Sequence, residues 1–210
     1  MIAGLNQGQA LIIVLFVIAG LLLLTSSLEQ SVNMVVDRLE LQHLADGSAL
    51  RAGSIMADGL NLIAITNGML IGAGISVFFS KGATLKWVRS IQRLQDQVIR
   101  STPSAAALAA TTFGLEQNAK AFGLVTDAPE MCVVRHYLKI LWFKKIPLWC
   151  KDSGNLQRRK TVVSWTLPDD RKWVTTAASI PSGGRLIGQF ILWPLPSAEY
   201  KAYLAKSIAQ

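Results

Sequence analysis

The sequence predicts an α+β protein held in a membrane. A long N-terminal helix serves as transmembrane anchor and then as stem, and a helical hairpin and a C-terminal antiparallel β-sheet follow. Three observations predict this. Residues 10–24 (ALIIVLFVIAGLLLL) carry no charge and no polar side chain. No proline precedes Pro103, and no glycine falls between Gly20 and Gly47. After Pro129, β-branched and aromatic runs alternate with turn clusters. Three segments result: an anchor over 1–27, a helical stem and hairpin over 28–128, and a β-rich domain over 129–210.

The anchor is read from length and composition. At ~1.5 Å per residue, residues 10–24 span ~23 Å, and continuing to Leu28 approaches the ~30 Å hydrocarbon core of a bilayer. A secretory signal peptide would need a basic preface and a small-residue cleavage site. Residues 1–9 hold no Lys or Arg, and Thr25-Ser26-Ser27 is a poor site. A helix that is apolar on every face must be buried all round, and lipid provides that burial. Beyond it, Leu28, Val32, Val35 and Leu39 follow the 4-3-4 spacing of a helix-packing seam. Leu41, Leu44 and Ala45 continue an apolar face, and the first break is expected near Gly47.

The preface ending Gly8-Gln9-Ala10-Leu11, the apolar run, and then Asp37-Arg38 and Leu41-Gln42-x-x-Ala45-Asp46-x-x-Ala49-Leu50 form a recognisable order. It resembles the N-terminal signature of the TadE/TadG-like proteins, pilin-like components of the tight-adherence (Flp) pilus system. Ala57 to Asn67 (ADGLNLIAITN) resembles the stretch that follows in many TadG-like chains. The resemblance covers roughly residues 7–70. It implies a single-pass bacterial inner-membrane protein with a periplasmic or extracellular C-terminal domain. Such a protein acts in pilus or secretion assembly, its partners being the bilayer and other subunits met through the helix and the β domain. It implies no catalysis and no cofactor. Processed pseudopilins of this system carry Glu five residues after the cleaved Gly. Here that place holds Gln9 after Gly4 or Ile13 after Gly8, so the likeness is to an uncleaved, TadG-like anchor.

Leu60 to Phe79 is a second uncharged stretch of spanning length. Asn61, Thr66, Asn67 and Ser76 count against a span, while Gly68, Gly72 and Gly74 are compatible with one. Lys81, Lys86, Arg89 and Arg93 follow at once. A two-span hairpin would hold them in the cytoplasm by the positive-inside tendency, giving an adaptor for acidic partners or anionic lipid. The family resemblance favours the single span.

Further on, Leu85, Val88, Ile91, Leu94 and Val98 mark the core face of a helix over 84–100, with Lys86, Arg89, Arg93 and Arg100 elsewhere on it. Pro103 is placed to open a second helix, and the two suit an antiparallel hairpin along the stem. Strands are expected over 132–138, 161–166, 173–176 and 186–193, separated by turns at 151–155, 168–171 and 181–184. An antiparallel meander is the simplest connection. Five of the six tryptophans lie between 142 and 193 and read as core and sheet-face residues. Cys132 and Cys150 are either one bridge, closing a loop worth about 3 kcal/mol, or two buried thiols.

The charge is uneven. Residues 1–80 hold Arg38 and Arg51 against five carboxylates, while the remainder holds nineteen Lys and Arg against eight. The basic residues are dispersed and no nucleic-acid motif accompanies them, so no nucleic-acid partner is expected. His43 and His136 lack metal-ligand spacing. No phosphate-binding loop or nucleophile elbow occurs, so an unrecognised membrane enzyme has no residues to speak for it.

Overall fold

The computed structural model describes residues 7–79, 85–117, 121–140, 144–166, 174–186 and 199–205. The fold is α+β: a long N-terminal helix, a second helix and a C-terminal antiparallel sheet. The chain forms two compact units, Met1–Glu40 and Leu41–Gln210.

Helix α1 runs from Gln7 to Phe79. The break expected near Gly47 does not occur. Gly47 stays helical because its missing side chain is filled by a neighbour: a Cβ there would lie 2.5 Å from the Phe113 ring. Gly59 is used in the same way, against Thr102 at 2.6 Å. The helix cost of each glycine, about 1 kcal/mol, is offset by close packing.

Helix α2 runs from Leu85 to Glu116 with Pro103 inside it. The two helices expected on either side of Pro103 are therefore one. An interior proline removes the bond to the carbonyl four residues earlier and costs about 3 kcal/mol. Tertiary packing overrides that penalty. Contacts pairing Gly47 with Phe113, Gly59 with Thr102 and Thr66 with Gln95 run in opposite order along the two helices. The hairpin is thus made by α1 and α2. The buried stripe of α2 is Gln95, Val98, Thr102, Ala106, Ala110 and Gly114, whereas Leu85 and Leu94, expected in the core, are exposed.

A four-stranded antiparallel sheet has the order β1 (Phe122–Asp127), β4 (Thr161–Thr166), β5 (Val174–Ser182), β6 (Lys201–Ala205). Strands β2 (Val133–Ile140) and β3 (Lys144–Asp152) form a separate ribbon between β1 and β4 in sequence, so the expected simple meander is interrupted. The strand expected over 186–193 lies outside the described residues except for Leu186, which is buried. Along β4, Thr161, Val163 and Trp165 alternate inward. Trp165 is the keystone of this layer. Its indole Nε1 donates to Ser48 Oγ of α1 at 2.8 Å, and its ring occupies the space that side chains on Gly114 and Gly123 would need. Ser179 of β5 donates to the Ala49 carbonyl, bringing the sheet onto α1. The shared core takes in Leu41, Ala45, Ala49, Ala52, Met56, Leu60 and Ile63 of α1, Ala106 and Ala110 of α2, and Val163 and Ala177 of the sheet.

Close packing makes a paired prediction. Gly114→Ala, which overlaps the Trp165 ring, is expected to destabilise by about 1–3 kcal/mol through overpacking. Gly72→Ala meets nothing within 4 Å and is expected to stabilise by up to about 1 kcal/mol through helix propensity. Denaturant midpoints of the two variants against the parent would read the opposite signs.

Candidate membrane anchor and the polar locks of the body

In the first unit, every side chain from Leu11 to Glu40 is exposed. The large apolar side chains of Leu11 to Leu24 are between 48% and 76% exposed. The most apolar stretch of α1 has a mean hydropathy of 2.8, none of it buried. Among the described residues, α1 is the one helix long and apolar enough to cross a membrane. The hydroxyls that follow do not oppose this. Thr25 donates to the Leu22 carbonyl at 2.9 Å, Ser26 to Leu23 at 3.0 Å and Ser31 to Ser27 at 2.9 Å. A hydroxyl bonded to its own helix can sit beside lipid. The seam residues Leu28, Val32, Val35 and Leu39 are 59%, 57%, 58% and 53% exposed.

The signature residues divide by face. Leu41, Ala45 and Ala49 are buried in the core of the second unit, Asp46 is half-buried, and Gln42 and Leu50 are exposed. Their spacing reads as a packing rule: one large and two small residues let the helix approach its neighbours.

The stretch Leu60–Phe79 is the C-terminal part of α1. Leu60, Ile63, Ala64 and Leu70 are buried in the body. The two asparagines that interrupt the apolar pattern act as locks. Asn61 Nδ2 donates to the Tyr200 carbonyl at 3.2 Å, and its Oδ1 accepts from the Tyr200 N–H at 2.8 Å. Asn67 makes the same pair with Cys150, donating to its carbonyl at 2.8 Å and accepting from its N–H at 2.9 Å. Asn67 also donates to the Leu186 carbonyl at 2.7 Å and accepts from Gln95 Nε2 at 2.9 Å. Gln95 reaches Thr66 at 3.0 Å and accepts from Cys150 Sγ at 3.5 Å. One buried amide thus ties α1, α2, β3 and the segment at Leu186 together.

Cys132 and Cys150 are free thiols, not a bridge. The register explains it. Cys150 lies opposite Arg135, and Val133 lies opposite Asp152, so the cysteines stand about three residues, or roughly 10 Å, apart along the ribbon. A disulfide needs Cα atoms within about 7 Å. Burial pushes the Cys150 thiol pKa up, opposed by the charge and hydrogen bond of Arg135 and aided by Asp96. Burial likewise raises that of Tyr200, opposed chiefly by Arg159.

Arg159 is a second lock. It is fully buried and paired with Asp152 at 2.6 Å. It also donates to the Met131 and Cys132 carbonyls at 3.3 and 3.4 Å and lies 5.9 Å from the Tyr200 ring centre. Cys132 beside it has a φ of +47°, an uncommon conformation for a side-chain-bearing residue. His43 and His136 are exposed. Among the described residues, no three His, Cys, Asp or Glu side chains gather as a metal site.

Sequence reading missed Asn61, Asn67, Gln95 and Arg159. The available signal was an amide inside an apolar helical run, which marks a buried polar contact as readily as a loop. No protein-family model, curated protein or solved structure matches this chain.

Two predictions follow from the locks. Asn67→Leu strands the Cys150 amide, the Leu186 carbonyl and Gln95 in the core and is expected to cost about 3–5 kcal/mol, read by denaturant unfolding. The second concerns pH. The native state holds the Cys150 proton after the unfolded chain has lost it. Stability is therefore full below the ordinary thiol pKa of about 8.5 and declines above it, with Tyr200 adding to the decline above about 10. Unfolding midpoints measured across this range should fall, and the earlier part of the fall should be absent in Cys150→Ala.

Proposed function

We propose that the protein is a membrane-anchored structural component of a Tad (Flp) type pilus or related secretion machine, its body on the extracytoplasmic side. One observation carries the reading: α1 exposes apolar side chains on every face from Leu11 to Leu24, then exposes the Leu28–Val32–Val35–Leu39 seam. The first surface suits lipid and the second suits a neighbouring helix. The mechanism is positional. The anchor fixes the chain in the bilayer, the seam packs on other subunits, and the mixed body presents its surface to the assembly. The N-terminal signature resemblance supplies the identity of the machine.

The test combines topology and assembly. Ser104 is exposed on α2. In Ser104→Cys, a membrane-impermeant maleimide should label that thiol in intact cells, and the protein should resist alkaline extraction from membranes. Labelling only after lysis would overturn the exported body. Val32→Asp with Leu39→Asp should leave membrane insertion intact and abolish filament or secretion assembly. Unchanged assembly would overturn the role of the seam.

A further inference from the structure

The outer face of α2 has a chemistry that neither the core nor the anchor uses. Lys86, Arg89, Arg93 and Arg100 recur at intervals of three, four and seven residues, which places them along one side of a helix. All four are exposed. Lys86 to Arg100 spans about 21 Å of helix axis. The one carboxylate between Leu85 and Arg100 is Asp96, and Arg135 of the ribbon engages it at 2.6 Å. The other ion pairs of the described residues are Arg158–Glu130 and Arg159–Asp152, so none of the four cations is paired among them. On one flank of this row, roughly a quarter-turn round the helix from Lys86, stand exposed Trp87 at 71% and Leu94 at 43%; Leu85, at 45%, lies on the opposite flank. Between the last two arginines lies an open hollow of about 440 Å³, lined by Arg93, Asp96, Gln97, Arg100 and Ser101.

We infer that this face of α2 is a seat for an anionic phospholipid surface. Cations with no ion-pair partner among the described residues supply the attraction to headgroup phosphates, and Gln97 and Ser101 add neutral donors inside the hollow. Trp87 and Leu94, on one flank of the row, give the choice between acidic partners. An indole and a leucine flanking a cationic row gain by entering the headgroup–acyl boundary, whereas a nucleic-acid backbone offers them nothing apolar.

The full chain is placed in nanodiscs of phosphatidylcholine, so that the apolar helix is covered and the disc itself offers no anionic lipid. Flotation is then measured with separate vesicles of phosphatidylcholine alone or with phosphatidylglycerol, at low and high salt. Capture is expected only by the anionic vesicles and only at low salt. Arg93→Glu with Arg100→Glu should weaken it at least tenfold. Replacing both by Lys should keep most of it, and Trp87→Ser should weaken it severalfold. These positions are exposed, so unchanged thermal unfolding serves as the folding control. Equal capture by neutral vesicles, no capture by anionic ones, indifference to the double charge reversal, or tighter binding of a single-stranded oligonucleotide than of anionic vesicles at the same salt would each overturn the assignment.

Discussion

The body depends on how closely α1 can be approached. Between Leu41 and Gly59 the inward face of that helix is built mainly of small side chains: Ala45, Ser48, Ala49, Ala52, Gly53, Ala57 and Gly59. Phe113 lies against Gly47 and Thr102 against Gly59 from α2, while Ser179 lies against Gly53 from the sheet. Among the described residues, Trp165 can be the largest fully buried side chain because Gly114 and Gly123 leave room for its ring and Ser48 accepts from its nitrogen. Protein interiors pack to near-crystalline density, so a methyl group added at any of these contacts has nowhere to go. The same small residues that make a soluble-looking helix weakly hydrophobic are what allow three layers to share one core.

Polar groups then fix the arrangement that close packing permits. Asn61 and Asn67 each offer one donor and one acceptor to a backbone amide pair, as a neighbouring strand would. They stand six residues apart on one helix and reach two different segments of the β region. Apolar contacts alone tolerate sliding, whereas a two-point amide match tolerates little. Arg159 serves the same end at the base of the ribbon, where two carbonyls and a carboxylate hold a buried guanidinium.

Much of the layout was legible in the chain. The apolar run declared an exposed membrane-length helix, and the strand Thr161–Thr166 was read with its observed bounds. The turn at residues 151–155 was marked by Asp152 and Gly154, and Gly154 takes a φ of +77° with its N–H on Asp152 Oδ1 at 2.9 Å. What failed was local punctuation overruled by distant contacts. Gly47 and Pro103 look like helix ends but sit within helices because packing partners far along the chain make the helix worth keeping. Strand β1 was hidden at the tail of an Ala-rich helical stretch, and β3 contains Pro147, which suits a bulged two-stranded ribbon and little else. The asparagine locks depend on residues more than 80 positions away, and no periodicity carries that information.

The spacing of the two thiols has a wider consequence. The ribbon register keeps Cys132 and Cys150 apart, and Cys150 is enclosed and holds its proton. Oxidation therefore finds no ready intramolecular partner, and reduction removes no crosslink. The packing of the described residues owes nothing to a crosslink, so the fold of the body does not wait on a disulfide-forming step.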